Sequence, residues 1–146
     1  MPNARQFFSK EEKQAILDAI ISAEKDTSGE IRVHIENHCG GDVLDRAAFL
    51  FKHLKMNETA QHNGILFYLA VKDRKFAVIG DAGINAVVEE NFWESIRHSM
   101  TEHFKRSAFT AGLIKGIETT GKKLKAHFPY SNNDVNELSD EISFGS

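Results

Sequence analysis

The chain opens with a helical pattern and then changes to a strand pattern. Ser9 and Glu12 form a capping box, and the apolar residues that follow recur on one face, which predicts a first helix over residues 10–26. Residues 30–36, EIRVHIE, alternate apolar and polar side chains. This alternation predicts a strand with one apolar face and one polar face.

A second helix and a hairpin follow this strand. Apolar residues at helical spacing predict a helix from Leu44 to Leu54. Residues 65–71, ILFYLAV, carry no charge, as is typical of a central strand covered on both faces. A charged turn, KDRK, leads into residues 76–80, which should return antiparallel. The first two strands have a helix between them and should be parallel, with a right-handed crossover.

Further helices and a polar tail complete the pattern. GDAGIN opens a helical region whose apolar stripe reaches Phe104, and a last helix ends before Pro129. Residues 1–129 are therefore expected to form one domain. Residues 130–146 are expected to be an acidic tail that either docks weakly or stays mobile.

Composition narrows the class of protein. At 146 residues with 41% hydrophobic and 27% charged residues, the chain is typical of a soluble, single-domain globular protein. Its net charge of -3, with basic and acidic residues interspersed, argues against nucleic-acid binding. One cysteine excludes an internal disulfide. No apolar run predicts a secretory signal or membrane insertion, so a cytoplasmic location is expected.

The segment HCGGDVLDR, residues 38–46, resembles the phosphate loop of protein tyrosine phosphatases in its context between strand and helix. Six residues separate Cys39 from Arg46, whereas that loop requires five. Asp42 and Asp45 would also repel a phosphate. Asp42 is better interpreted as the cap of the second helix, and no catalytic nucleophile is predicted.

The histidines do not predict a zinc site. Along a strand, His34 and His38 would lie about 13 Å apart, too far to share one metal. His98 and His103 differ by five positions and point to different faces of a helix.

Carboxylates favour a hard cation, Ca²⁺ or Mg²⁺, instead. Glu36, Asp42 and Asp73 should gather where the parallel strands end, which is the usual ligand-binding end of an open α/β sheet. Glu30 and Asp81 should lie near the opposite end. The alternative is that these acids cap helices, pair with arginines or are solvated.

The polar face of the first strand is a second candidate surface. Arg32 and His34 would line a groove if this face were open. If a helix covers it, they would form a buried pair with an acid from that helix.

The ordered set SGEIRVHIE, RAAFLFKHLKM, HNGILFYLAVKDRKFAVIGDAGIN and AGLIKGIETTGKKLKAHFP resembles the TPM domain family, named after a thylakoid lumen protein, a photosystem II repair protein and a nematode receptor modulator. The resemblance implies an α/β fold, an αβα sandwich around a mixed, mainly parallel sheet with one antiparallel hairpin strand. It also implies calcium or other divalent-cation binding in some members, and acid phosphatase activity in the plant branch.

The combined interpretation is a divalent-cation-binding adaptor or interaction module, acting with a protein partner that is membrane-associated. The alternative is a metal-assisted phosphatase acting on phosphomonoesters, in which Mg²⁺ near Glu36, Asp42 and Asp73 would activate water. A third hypothesis is an interaction module without a ligand.

Overall fold

The computed structural model describes residues 3–129 and 142–145. Five α-helices are present in this part of the chain: α1 Lys10–Glu24, α2 Val43–His53, α3 Ala82–Asn85, α4 Phe92–Lys105 and α5 Phe109–His127. Four strands form one sheet: β1 Glu30–Glu36, β2 Gly64–Ala70, β3 Lys75–Gly80 and β4 Ser143–Phe144. A 3-10 helix, Met56–Glu58, precedes β2.

The sheet has the strand order β3-β2-β1-β4. β1 and β2 are parallel, and the pairing of His34 with Tyr68 sets their register. β2 and β3 are antiparallel. β4 joins the outer edge of β1 in parallel orientation. The predicted mixed sheet with one antiparallel hairpin strand is confirmed.

Helices cover both faces of the sheet and complete the predicted sandwich. The larger core lies between the sheet and helices α1, α4 and α5, and its largest buried residues include Ile16, Ile31, Phe67, Met100 and Leu113. The smaller core lies under α2 and includes Ala47, Leu50, Phe51, Leu66 and Tyr68. Every residue of β2 is buried, as its uncharged sequence predicts.

Both ends of α1 follow from local sequence. Ser9 accepts a hydrogen bond from the Glu12 amide, and the Glu12 side chain accepts one from the Ser9 amide, so the predicted capping box is present. The helix ends at Glu24, two residues before the predicted end. Asp26 then takes a left-handed conformation, with φ of 65°, which turns the chain towards β1.

The C-terminal segment is part of the sheet where the structure describes it. Residues 142–145 lie along β1, and the Gly145 amide donates a hydrogen bond to the Ile35 carbonyl at 2.8 Å. Phe144 packs against the larger core. The prediction of an acidic, weakly docked or mobile tail otherwise falls on residues 130–141 and 146, which lie outside the described residues.

Helices α1 and α5 approach closely at one glycine. A Cβ atom built on Gly121 would lie 2.7 Å from the Cβ of Ala23 and 3.0 Å from its Cα. Because one of these atoms belongs to the backbone, a larger residue would force the two helices apart.

We expect Gly121→Leu to lower the free energy of unfolding by about 1–3 kcal/mol, since overpacking outweighs the gain in helix propensity. Ala111→Leu, at an exposed position of the same helix, should change it little. Urea unfolding of both variants measures the difference. Equal stability of the two variants would show that the helices can separate without loss.

Candidate functional site

The polar side chains of β1 lie on the same face of the sheet as α2. Glu36 is 3% exposed and His34 is 5% exposed, so this face of the strand is covered, not open. His34 stacks on its cross-strand neighbour Tyr68 with 6.2 Å between ring centroids. The groove that an open face would have provided is therefore filled at His34.

The Glu36 carboxylate is held by donors from two elements. Arg46 of α2 donates from Nε to Oε2 at 3.0 Å, and its Nη2 donates to Oε1. Tyr68 of β2 donates its hydroxyl to Oε2 at 2.6 Å. Asp42 caps α2 by accepting from the Asp45 amide at 3.0 Å, as predicted, and thereby fixes the helix that carries Arg46.

These contacts keep Glu36 ionised despite its burial. Burial by itself raises the pKa of the Glu36 carboxyl, but the hydrogen bonds from Arg46 and Tyr68 outweigh it and hold that pKa below its usual value. Burial and the nearby carboxylate raise the pKa of the Tyr68 hydroxyl, so Tyr68 remains a donor. The hydrogen bond to Glu36 likewise raises the pKa of Arg46.

His34 connects this arrangement to the C-terminal segment. Its Nδ1 lies 2.7 Å from the Ser143 hydroxyl oxygen, and its Nε2 lies 3.5 Å from Glu36 Oε1. Burial lowers the pKa of His34, and the attraction of Glu36 offsets this in part. His34 is therefore neutral at pH 7. We call these residues, His34, Glu36, Arg46, Tyr68 and Ser143, the Glu36 cluster.

Gly145 closes the Glu36 cluster from the side of β4. A Cβ atom at this position would lie 2.6 Å from both Cγ and Oε1 of Glu36, so the chain passes directly over the carboxylate. Sequence reasoning missed this arrangement. The signal that was available is the alternation of Ile142, Ser143 and Phe144 before a glycine, which is typical of a short edge strand.

The loop between β1 and α2, residues 37–42, receives a carboxylate from the β2–β3 turn. Asp73 accepts hydrogen bonds from His38 Nδ1 at 2.8 Å and from the Cys39 amide at 2.7 Å. These two bonds, with His38 first, lower the pKa of Asp73. Cys39 is 5% exposed and its thiol lies 3.6 Å from the Gly41 carbonyl, which agrees with a structural role.

The five predicted cation ligands are divided among different surroundings. Glu36 lies in the buried cluster, while Asp42 ends the loop 37–42 and Asp73 contacts that loop. At the opposite end, Asp81 caps α3 and lies 3.3 Å from His62 Nδ1, and Glu30 is buried at the start of β1. Within residues 3–129 and 142–145, no group of three or more His, Cys, Asp or Glu side chains is placed to hold one metal ion.

The geometry defines a class of protein: an αβα domain with a buried carboxylate–arginine–tyrosine cluster beneath an added C-terminal strand. None of the helices in the described part of the chain is long and apolar enough to cross a membrane. The TPM domain profile matches residues 3–123. The chain belongs to the TPM domain family.

Solved structures agree with this assignment. The BA42 protein from the psychrophilic bacterium Bizionia argentinensis is 46% identical, with a TM-score of 0.89, over 99% of this chain and 100% of that one. The N-terminal domain of a P. gingivalis protein is 15% identical, with a TM-score of 0.70, over 87% of this chain and 84% of that one. The N-terminal domain of cg2496 from Corynebacterium glutamicum is 14% identical, with a TM-score of 0.62, over 85% of this chain and 78% of that one. The last two share the fold. No curated protein matches the chain.

We expect Glu36→Gln to lower the free energy of unfolding by about 2–3 kcal/mol, because the substitution removes the charge that Arg46 and Tyr68 are placed to bind. Glu89→Gln breaks the contact of Glu89 with Lys123 at the surface and should cost far less. Denaturant unfolding at pH 7 compares the two. Similar losses would mean that the cluster contributes no more than a surface pair.

The pH dependence of stability should depend on His34. Because the pKa of His34 is lower in the folded than in the unfolded state, the unfolded chain takes up the proton first. The contribution of neutral His34 to stability is complete when the pH is above 6.5, the ordinary pKa of histidine. It is lost as the pH falls towards the pKa of His34 in the folded state. The stability of His34→Gln should therefore fall less between pH 7 and pH 5 than that of the unmodified chain.

His98→Gln, at an exposed position of α4, is the matched control and should leave the pH dependence unchanged. The ionised Glu36 carboxyl also contributes to stability, and this contribution is lost at more acidic pH because the pKa of Glu36 lies below 4.5. If the free energy of unfolding of the unmodified chain and of His34→Gln fell in parallel with pH, His34 would not be the source of the pH dependence.

Proposed function

We propose that this TPM domain is an adaptor-like binding module that takes Ca²⁺ or Mg²⁺ at the loop 37–42. One observation carries the proposal: Asp73 reaches from the β2–β3 turn onto the loop that ends in Asp42. One loop at the carboxyl end of the parallel strands thus contains one carboxylate and contacts a second from a distant part of the chain, and open α/β sheets bind ligands at this end.

The donor chemistry of the loop fits a hard cation held loosely. Each Asp73 oxygen accepts one hydrogen bond and keeps a further lone pair. Asp42 uses Oδ2 for the helix cap, and the neighbouring Gly41 carbonyl is a neutral oxygen that the Lys75 ammonium approaches to 3.5 Å. Glu36 is not in the proposed set because Arg46 and Tyr68 occupy its oxygens. Water would complete the coordination, which favours affinity of about 10⁻⁴–10⁻³ M.

The proposed role of the ion is to change the loop surface that a protein partner contacts. Neutralising Asp42 and Asp73 would reduce the negative charge at this end of the sheet. We favour a membrane-associated protein as this partner, because the family is named after a thylakoid lumen protein, a photosystem II repair protein and a receptor modulator. The same fold in such different settings supports a shared binding scaffold over a shared reaction.

Titration of the isotope-labelled protein with CaCl₂ and with MgCl₂, followed by amide NMR shifts, tests the proposal. We expect saturable shifts at residues 38–42 and 72–74. Asp42→Asn retains a good helix cap and Asp73→Asn retains an acceptor, so both variants should fold and should bind at least about tenfold more weakly, as loss of a charged ligand predicts.

Asp81→Asn is the matched control, since it also keeps a helix cap but lies at the opposite end of the sheet. It should bind like the unmodified chain. If Asp81→Asn alone weakens binding, the ion lies near Glu30 and Asp81 instead. Absence of saturable shifts at millimolar ion would overturn the proposal. Turnover of p-nitrophenyl phosphate that needs Mg²⁺ and Asp73 would replace it with the phosphatase alternative.

A further inference from the structure

A pocket of about 500 Å³ lies at the turn end of the β2–β3 hairpin, on the face of the sheet opposite α2. Its walls include the phenylalanine rings of Phe7, Phe76, Phe104 and Phe109, with Leu69 and Val71 of the hairpin beside them. We call it the phenylalanine pocket. Its volume lies within the range of small-molecule sites.

The four rings form a continuous wall that is open on one side. The Phe7 and Phe109 centroids lie 5.1 Å apart, those of Phe104 and Phe109 5.4 Å, and those of Phe76 and Phe104 5.0 Å. All four rings are half-buried, although the core beneath them is closed. Clustered aromatic surface left partly in water is typical of a binding site.

The charges that line the phenylalanine pocket all have one sign. Arg74, Lys75 and Lys105 line it together with Thr101 and Ser107, and no acidic residue does. This concentration of positive charge occurs in a chain whose net charge is -3.

Two of these cations are accessible to a ligand. Lys105 contacts Glu102 at 3.4 Å in an exposed pair. The Lys75 ammonium, by contrast, is directed to the loop 37–42, where it lies 3.5 Å from the Gly41 carbonyl. Arg74 is exposed and forms no ion pair with any residue in the described ranges. An apolar cavity with a cationic rim is complementary to a molecule with an apolar body and an anionic head.

We infer that the phenylalanine pocket binds a medium-chain fatty acid, with the alkyl chain against the phenylalanine rings and the carboxylate between Arg74 and Lys105. Arginine and lysine suit a carboxylate in different ways, since arginine forms paired hydrogen bonds and lysine supplies a mobile point charge. The inference does not depend on the proposed cation site, which involves the loop 37–42 on the other side of the β2–β3 turn.

Decanoate is the probe, and amide NMR titration in the presence of EDTA is the test, so that divalent cations play no part. We expect one saturable set of shifts at residues 69–76 and 101–109. Acetate, which has the head without the chain, and decyltrimethylammonium, which has the chain with the opposite charge, should each bind at least tenfold more weakly.

Arg74→Asn combined with Lys105→Gln should weaken decanoate binding at least tenfold. Asparagine tolerates the positive φ of 54° at position 74, so the turn should be preserved. Arg97→Gln combined with Lys122→Gln removes the same charge from exposed positions outside the pocket and should leave binding unchanged. Thr101→Trp, which fills the cavity from α4, should abolish binding by steric exclusion.

Three results would overturn the inference. They are the absence of saturable decanoate shifts at millimolar concentration, equal binding of decanoate and decyltrimethylammonium, and equal weakening by the two double variants. A loss of cation binding at the loop 37–42 with decanoate binding intact would contradict only the proposed function.

Discussion

The buried charge of Glu36 is the constraint on which the rest of this face of the sheet depends. A carboxylate without water is costly unless donors surround it. Arg46 supplies two donors, Tyr68 supplies a third, and the chain at Gly145 excludes solvent from the remaining side. Strand β1, strand β2, helix α2 and the C-terminal segment therefore all meet at one ionised group, and none of them satisfies it alone.

The β2–β3 turn connects the two proposed binding regions. Asp73 accepts hydrogen bonds from the loop 37–42, while the next residue, Arg74, lines the phenylalanine pocket. Lys75 is also among the residues that line the pocket, but its ammonium lies 3.5 Å from the Gly41 carbonyl, at the loop 37–42. The same turn therefore presents a carboxylate with a nearby lysine on one side and the guanidinium of Arg74 on the other.

The sequence predicted those parts of the structure that depend on neighbouring residues. Alternation predicted β1 over the range observed, and side-chain chemistry predicted the caps at Ser9 and Asp42. The Glu36 cluster joins residues that are far apart in the chain. Glu36 and Tyr68 are separated by 32 positions, and His34 and Ser143 by 109. No local pattern encodes such contacts. The ion pair that the structure shows here joins an acid of the strand, Glu36, to a base of the helix, Arg46, and was not among the pairings considered for Arg32 and His34.

The position of β4 in the chain has a consequence for biosynthesis. Ser143 is made 109 residues after the histidine that it contacts. While the nascent chain emerges, β1, α2 and β2 are available to assemble early, but β4 cannot pair with the outer edge of β1 until residues 143–144 have been made. Contacts of such long sequence separation form slowly. The growing chain therefore carries this strand edge without β4 while about a hundred residues are added, and an incomplete chain is the stage at which edge-to-edge association with other chains is most favoured.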